Sequence, residues 1–191
     1  MYFSRLKMSI SEYVSICNDD MYKLHQYLTN LFSSRNVRFK KEVRSGGVTL
    51  YCYSDTQITN EKGIDCKEYP LQMLNGGCYE IACTINPIRQ HRENGKKNCI
   101  KRAVDTENLY EWVKDKLGQH DISVLDNDFI INDSGVSIHH KHDADITCKW
   151  YDIKMVCMAN DEAKLKNLIQ CGLGSQRSFG YGMILVKKII A

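Results

Sequence analysis

A glycine-rich segment, residues 172–182, is the most distinctive feature of the sequence. It contains four glycines in eleven residues and lies between a helix pattern and an apolar strand pattern. Because glycine has no Cβ, such a loop can bring backbone N–H groups close to phosphate oxygens. The segment has no Lys-Ser/Thr pair and its order is helix, loop, strand, so it is not a nucleotide-binding P-loop. Composition leaves two readings open, a phosphate-contacting loop and a long structural turn.

Tyr22 and His25 lie three residues apart in a stretch with helical spacing, so they share one face of the predicted helix. An imidazole with an ordinary pKa near 6.5 can accept or donate a proton at neutral pH. A tyrosine hydroxyl can orient a reacting group or donate a hydrogen bond to it. Spacing alone does not assign catalysis to the pair, since an isolated histidine in a helix is more often structural.

A cluster of histidines and carboxylates follows a predicted strand in the second half of the chain. It comprises His139, His140, His142, Asp143 and Asp145. These side chains are good metal ligands, but alternation along a strand lets only His140 and His142 share an ion. We therefore predict a polar strand end and no metal site.

Positive charge is concentrated in two stretches of a chain whose net charge is only +3. One stretch, offset only by Glu93, contains Arg89, Arg92, Lys96, Lys97, Lys101 and Arg102. The other, offset only by Glu42, contains Arg35, Arg38, Lys40, Lys41 and Arg44. Solvated surface is one explanation for each stretch, and binding to the phosphates of a nucleic acid is the other.

Length and composition exclude several classes of protein. The 191 residues can form one large domain or two small ones, and 43% hydrophobic with 26% charged residues is typical of a globular protein. No apolar run approaches the roughly 20 residues of a membrane span, and no secretory signal is visible, so we expect a cytoplasmic protein. The nine cysteines include no CxxC pair, which predicts reduced, partly buried thiols.

Hydrophobic spacing predicts two similar element orders, although the first half lacks a convincing second helix. The first half reads as a strand over 2–10, a helix from 21 to 32, and strands over 37–43, 48–53 and 64–71. The second half reads as a strand over 78–85, the basic loop, a helix from 106, strands over 122–131, 136–140 and 146–158, a helix from 162 and a final strand. Asp133 to Gly135 is predicted to turn between two of these strands, and Asn75 to Gly77 is the best domain boundary. Both halves approach the split βαβ pattern, so we predict an α+β fold with two tandem ferredoxin-like (RRM-like) domains, 1–75 and 76–191.

The glycine-rich segment and its flanks resemble a known family. Leu168 to Gly174, followed by Ser178 to Leu185, is similar to the C-terminal signature of the RAMP-type CRISPR RNA-processing proteins, and to their CasE branch in particular. The likeness covers the whole chain and adds four further stretches: Met1 to Ser4, the helix from Met21 to Leu28, Asn86 to Ile88, and Ile100 to Arg102.

The resemblance implies an endoribonuclease that cuts CRISPR repeat RNA hairpins without metal or other cofactor and stays on the crRNA as a subunit of the type I-E Cascade complex. It implies that His25 is catalytic, with Tyr22 assisting. Partners would be the repeat hairpin and other Cascade subunits, and no membrane. Two alternatives stay open, a non-catalytic RNA-binding subunit on the same fold and a metal-dependent nuclease. The residues expected to contact RNA are Arg89, Arg92, Lys96, Lys97, Lys101, Arg102, Gly172, Gly174, Arg177, Ser178, Gly180 and Gly182.

Overall fold

The computed structural model of the protein describes residues 1–59, 63–70, 76–92, 99–141 and 144–189. Its helices are α1 Ile10–Cys17, α2 Met21–Leu31, α3 Leu109–Gly118 and α4 Glu162–Cys171. Its strands are β1 Tyr2–Met8, β2 Arg38–Arg44, β3 Gly47–Ser54, β4 Ile64–Glu68, β5 Gly77–Ile85, β6 Ile88–Arg92, β7 Cys99–Ala103, β8 Ile122–Lys141, β9 Ala144–Ala159 and β10 Ile184–Lys188.

The N-terminal strands form a four-stranded antiparallel sheet in the order β2-β3-β1-β4. This is the ferredoxin-like strand order, with α1 and α2 in the first crossover. Among the described residues, no helix connects β3 to β4, in agreement with the lack of a second helix pattern in the first half of the sequence. Phe39, Leu50 and Leu28 are fully buried between this sheet and α2, which explains the apolar spacing of that helix.

The C-terminal strands form a second antiparallel sheet in the order β10-β5-β9-β8. With α3 after β5 and α4 after β9, this half is a complete ferredoxin-like βαββαβ unit. The predicted basic loop is instead a two-stranded hairpin, β6 paired with β7, inserted between β5 and α3. The fold is therefore α+β with two ferredoxin-like halves. The proposed boundary after residue 75 adjoins residues outside the described ranges and stays a prediction.

Two sequence predictions are corrected by the structure. The strand predicted to reach Ile10 ends at Met8, because Ser9 and Glu12 form a capping box that starts α1: the Glu12 N–H donates to Ser9 Oγ (3.2 Å) and the Ser9 N–H to Glu12 Oε2 (2.7 Å). The turn predicted at 133–135 is wrong, because β8 continues through it. The pairing register of β8 with β9 shifts between Ile131 and Asp133, and Gly135 lies against the Trp150 ring.

The eight cysteines whose side chains are described are free thiols, five of them buried. Burial raises the pKa of the Cys83 and Cys157 thiols to about 12, so neither is a nucleophile at neutral pH. Within the described ranges, no helix is both long and apolar enough to cross a membrane.

Candidate functional site

Helix α2 presents Tyr22 and His25, and its first turn is firmly held. Asp20 is the N-cap, and its carboxylate accepts hydrogen bonds from the Tyr22 N–H (2.8 Å) and the Lys23 N–H (3.2 Å). The preceding Asp19 accepts from Tyr13 (2.8 Å) and from Lys41 (2.7 Å), which ties the turn between α1 and α2 to strand β2. The orientation of α2 is thus fixed by side chains from both α1 and β2.

The rings of Tyr22 and His25 are both partly buried against aromatic neighbours. Tyr22 packs edge-on against Phe179, with ring centroids 6.3 Å apart, and His25 stacks on Phe39, with centroids 6.4 Å apart. Phe39 in turn lies against Gly180, where an added Cβ would stand 2.9 Å from its ring. The pair therefore sits directly beside the glycine-rich loop, residues 172–182.

The glycines of the loop shape its backbone more than they offer hydrogen bonds. A Cβ on Gly182, whose φ is +83°, would stand 2.5 Å from the Leu173 carbonyl oxygen. The N–H groups of Gly172, Gly180 and Gly182 donate to the carbonyls of Leu168, Arg177 and Thr84. These three N–H groups are therefore hydrogen-bonded within the free chain. RNA contact at the four loop glycines, at Arg177 and at Ser178 stays a prediction.

The predicted histidine cluster does not converge on one point. His139 is buried: its Nε2 lies 3.0 Å from both Ser137 Oγ and Tyr181 OH, and its ring stacks on Phe179 with centroids 4.4 Å apart. His140 faces solvent and pairs with Asp145 at 2.5 Å. His139 and His140 thus face opposite sides of the strand, as the predicted alternation requires. His142 and Asp143 lie outside the described residues. His139 holds the glycine-rich loop in place.

A basic groove of about 720 Å³ borders the other side of the loop. On the β6–β7 hairpin, Arg89 and Arg102 are directly opposite and both exposed, an unfavourable pairing unless an anion lies nearby. The hairpin also carries the exposed Lys101. The Arg92 side chain and residues Lys96 and Lys97 lie outside what the structure describes. The groove walls include Arg89, Lys116, His120, Gly174, Ser175 and Arg177.

A second groove, of about 710 Å³, separates the two sheets. Lys40 of β2 crosses it to pair with Asp152 of β9 at 2.6 Å. Its walls also include Val136, Ile138 and Trp150. Of these residues, sequence analysis named only Lys40, as part of the second basic stretch, and it missed Phe179 as the support for Tyr22. No local pattern could have revealed them, since each partner is far away in the sequence.

Comparison with known proteins agrees with this architecture. The Cse3 protein of Thermus thermophilus, solved "bound to an RNA representing a pre-cleavage complex", superposes with a TM-score of 0.78 over 97% of this chain and 98% of its own, at 14% identity. The CRISPR-associated protein Cas6e of Escherichia coli K-12 gives 0.68 over 99% and 100%, at 20% identity. A chain of the E. coli Cascade bound to a PAM-containing dsDNA target gives 0.52 over 99% and 100%, at 17% identity.

These identities are low enough that the structures establish the fold alone. No curated protein sequence matches the chain. The sequence profile described as "CRISPR associated protein" matches residues 1–188, nearly the whole length. The chain therefore belongs to this CRISPR-associated protein family.

Proposed function

We propose that this protein is an endoribonuclease that cleaves CRISPR repeat hairpins in precursor crRNA and remains bound to the product in a Cascade complex. The observation that carries the proposal is the position of His25 and Tyr22. They share a face of α2, and both ring contacts lead to the loop that borders the basic groove. An acid-base group thus lies next to a surface suited to a polyanion.

The solved relatives support the substrate and the partners. The Thermus protein is described with a bound RNA in a pre-cleavage state, and the E. coli chain is part of a Cascade assembly. A complex that handles CRISPR RNA inside the cell would place this chain in the cytoplasm. The repeat hairpin and the other Cascade subunits are accordingly the partners that we propose.

The proposed reaction needs no metal and no cofactor. The ribose 2′-hydroxyl attacks the adjacent phosphorus, the bond to the 5′-oxygen breaks, and the products carry a 2′,3′-cyclic phosphate and a 5′-hydroxyl. One proton leaves the 2′-oxygen and one joins the 5′-oxygen, and His25 transfers one of them. Tyr22 orients the phosphate or donates a hydrogen bond to it. The surrounding cations stabilise the additional negative charge of the phosphorane.

The basic groove and hairpin bind the stem in this proposal. A-form RNA has a deep, narrow major groove, so contacts to phosphates and to overall shape dominate recognition. Arg89 and Arg102, paired on one exposed face of the hairpin, suit such contacts, and Lys101 is exposed on the opposite face. The proposed RNA-binding set is completed by Arg92, Lys96, Lys97, Gly172, Gly174, Arg177, Ser178, Gly180 and Gly182.

Incubation of purified protein with its repeat hairpin tests the proposal. We expect one cut, equal rates with and without EDTA, and a 2′,3′-cyclic phosphate at the new 3′ end. A 2′-deoxy substitution on the 5′ side of the scissile phosphate should block the cut, while the same substitution one nucleotide away should not. Binding without cleavage would instead indicate a non-catalytic assembly subunit. Loss of cleavage in EDTA would indicate a metal-dependent nuclease.

A further inference from the structure

Arg38 differs from the other cations of strand β2. Lys40 pairs with Asp152, Lys41 with Asp19 and Arg44 with Glu42. In the described part of the chain, no carboxylate forms an ion pair with Arg38. Its Nη1 reaches only the Val37 carbonyl, at 3.4 Å, and its Nε is buried without a hydrogen-bond partner. A buried donor left unsatisfied is uncommon in folded proteins and calls for a physical explanation.

A second guanidinium, that of Arg177, belongs to the glycine-rich loop, which packs against this strand. Gly180 of the loop lies against the ring of Phe39, the residue after Arg38 in the edge strand β2. Burial, and then the positive charge of Arg177, lowers the pKa of the Arg38 guanidinium. Two neighbouring cations, one with an unused buried donor, are unfavourable in the free protein and form a favourable site for an anion.

The chemistry of the two groups indicates which anion. A guanidinium presents its donors in a planar fork that matches two oxygens of a phosphate, and two such forks suit a phosphodiester well. The site lies beside the α2 face that carries His25, but on the opposite side of β2. Arg38 is paired across the sheet with Tyr53, whose ring packs with the hydrophobic core of the C-terminal half. Phe39 points the other way, to α2 and His25. The anion is therefore near the reacting bond without being part of it.

We propose that Arg38 and Arg177 together bind one non-reacting phosphate of the RNA backbone, next to the scissile bond. The inference rests on the proposed function and adds to it a residue, Arg38, that fixes the path of the strand across the edge of β2. Arg38 is then a binding residue: its unsatisfied buried donor destabilises the free protein, and the RNA phosphate offsets this when it binds.

Binding of a non-cleavable hairpin, with the 2′-deoxy substitution described above, tests this directly. Arg38→Gln should weaken binding about tenfold to hundredfold, the effect of a lost charged hydrogen bond. It should also reduce the slope of log affinity against log salt by about 0.7 to 0.9. Arg44→Gln, at the exposed far end of β2 and paired with Glu42, is the matched control and should change neither quantity.

A methylphosphonate scan of the hairpin identifies the phosphate. In the wild type, one neutralised position near the cleavage site should weaken binding about tenfold, the effect of losing a charge-assisted hydrogen bond. In Arg38→Gln the same position should cost almost nothing, because the contact is already gone. A scan in which every position costs the same in both proteins overturns the site.

Folding and function are separated by two further measurements. Arg38→Gln should melt at the wild-type temperature or above it, because a repulsion between like charges is removed. Should Arg38→Gln fail to fold, Arg38→Lys, which keeps the charge and loses the fork, should bind more weakly with an unchanged salt slope; wild-type affinity in Arg38→Lys overturns the inference. If the wild type binds no hairpin, the proposed function fails together with the site. If it binds with the Arg38 dependence but does not cleave, only the catalytic proposal fails.

Discussion

Lys40 of β2 and Asp152 of β9 form an ion pair that joins the two sheets, with 2.6 Å between Nζ and Oδ1. The side chains are only 10% and 26% exposed, and the Thr84 hydroxyl donates a further hydrogen bond to the same Asp152 oxygen at 2.8 Å. Since the pair is largely shielded from water, it is screened less than a surface pair. It defines how the N-terminal sheet is placed against the C-terminal sheet.

Removing the acid should therefore destabilise the protein strongly. We expect Asp152→Ala to lower the free energy of unfolding by about 3 kcal/mol, because Lys40 keeps a buried charge without a partner. Replacing both residues, as Lys40→Met with Asp152→Ala, should recover much of this loss. Urea denaturation measures the effect. Asp65→Ala, which breaks the exposed pair with Arg5, is the control and should cost about 0 to 1 kcal/mol.

His25→Ala should slow single-turnover cleavage by roughly 10² to 10⁴, the contribution typical of a general acid or base, while hairpin affinity stays nearly intact. The measurement combines rapid-quench cleavage with filter binding. His140→Ala, which removes an exposed histidine paired with Asp145, is the control and should cleave at the wild-type rate. Cleavage by His25→Ala at the wild-type rate would contradict the assignment, and equal loss of binding and cleavage would make His25 a docking residue.

Charge reversal of Lys101 and Arg102 should weaken hairpin binding and flatten its salt dependence. Each lost phosphate contact reduces the slope of log affinity against log salt by about 0.9 on a duplex stem. Reversal of Lys96 and Lys97 should act in the same way. The double variant Lys164→Glu with Lys166→Glu is a control of the same charge change, because Lys164 pairs with Asp121 and Lys166 with Glu162, outside the groove walls. An unchanged slope in the hairpin variants would leave these residues as ordinary surface charge.

Gly182→Ala should lower the melting temperature and cleavage together. The new Cβ would stand 2.5 Å from the Leu173 carbonyl oxygen, and the positive φ disfavours any side chain. The free energy of unfolding should fall by about 1 to 3 kcal/mol, the range typical of overpacking. Gly118→Ala, in α3 with nothing within 4 Å of its added Cβ, should be neutral or stabilising. Thermal melts of both variants check this pair of expectations.

The stability of the protein should fall on acidification through His139. Burial is the largest cause that lowers the pKa of His139 below 6.5. The charges of Asp20 and Asp19 oppose it by raising this pKa, and those of Lys41 and His140 add to it by lowering the pKa further. The unfolded chain, with a histidine pKa of about 6.5, then takes up the proton first, so this contribution is complete above about pH 6.5 and is lost as the pH falls further. We expect the melting temperature of the wild type to drop more between about pH 7.5 and about pH 5.5 than that of His139→Gln. The exposed His140→Gln should keep the wild-type pH dependence.

Much of the fold could be predicted from hydrophobic spacing because most elements bury one face. The alternation of apolar residues along β5 identifies the side chains that pack in the hydrophobic core of the C-terminal half. The apolar spacing of α2 identifies those that pack in the core of the N-terminal half. Ser9 and Glu12 have the spacing of a capping box, which indicates the start of α1. The alternation of β1 extends to Ile10, however, and favours a longer strand. The turn predicted at Gly135 is wrong because glycine occurs both in turns and at positions where another group packs closely on the backbone. Here it makes room for the Trp150 ring within an unbroken strand.

The site was only partly predictable, for a different reason. Tyr22 and His25 are neighbours on one helix, so local spacing places them together. Phe179, which supports Tyr22, is more than 150 positions away, and the glycine-rich loop reaches strand β2 through the contact of Gly180 with Phe39. Contacts of this kind depend on tertiary structure, and a single sequence contains no periodic signal for them.

The N-terminal core contains two residues from near the end of the chain, Phe179 and Tyr181. Ribosomes make the N-terminal half first, and domains generally begin to fold in that order. A growing chain that stops short of Phe179 has α2 without the ring that supports Tyr22. We therefore expect RNA processing to require synthesis at least through Phe179, so that products truncated before this residue are inactive.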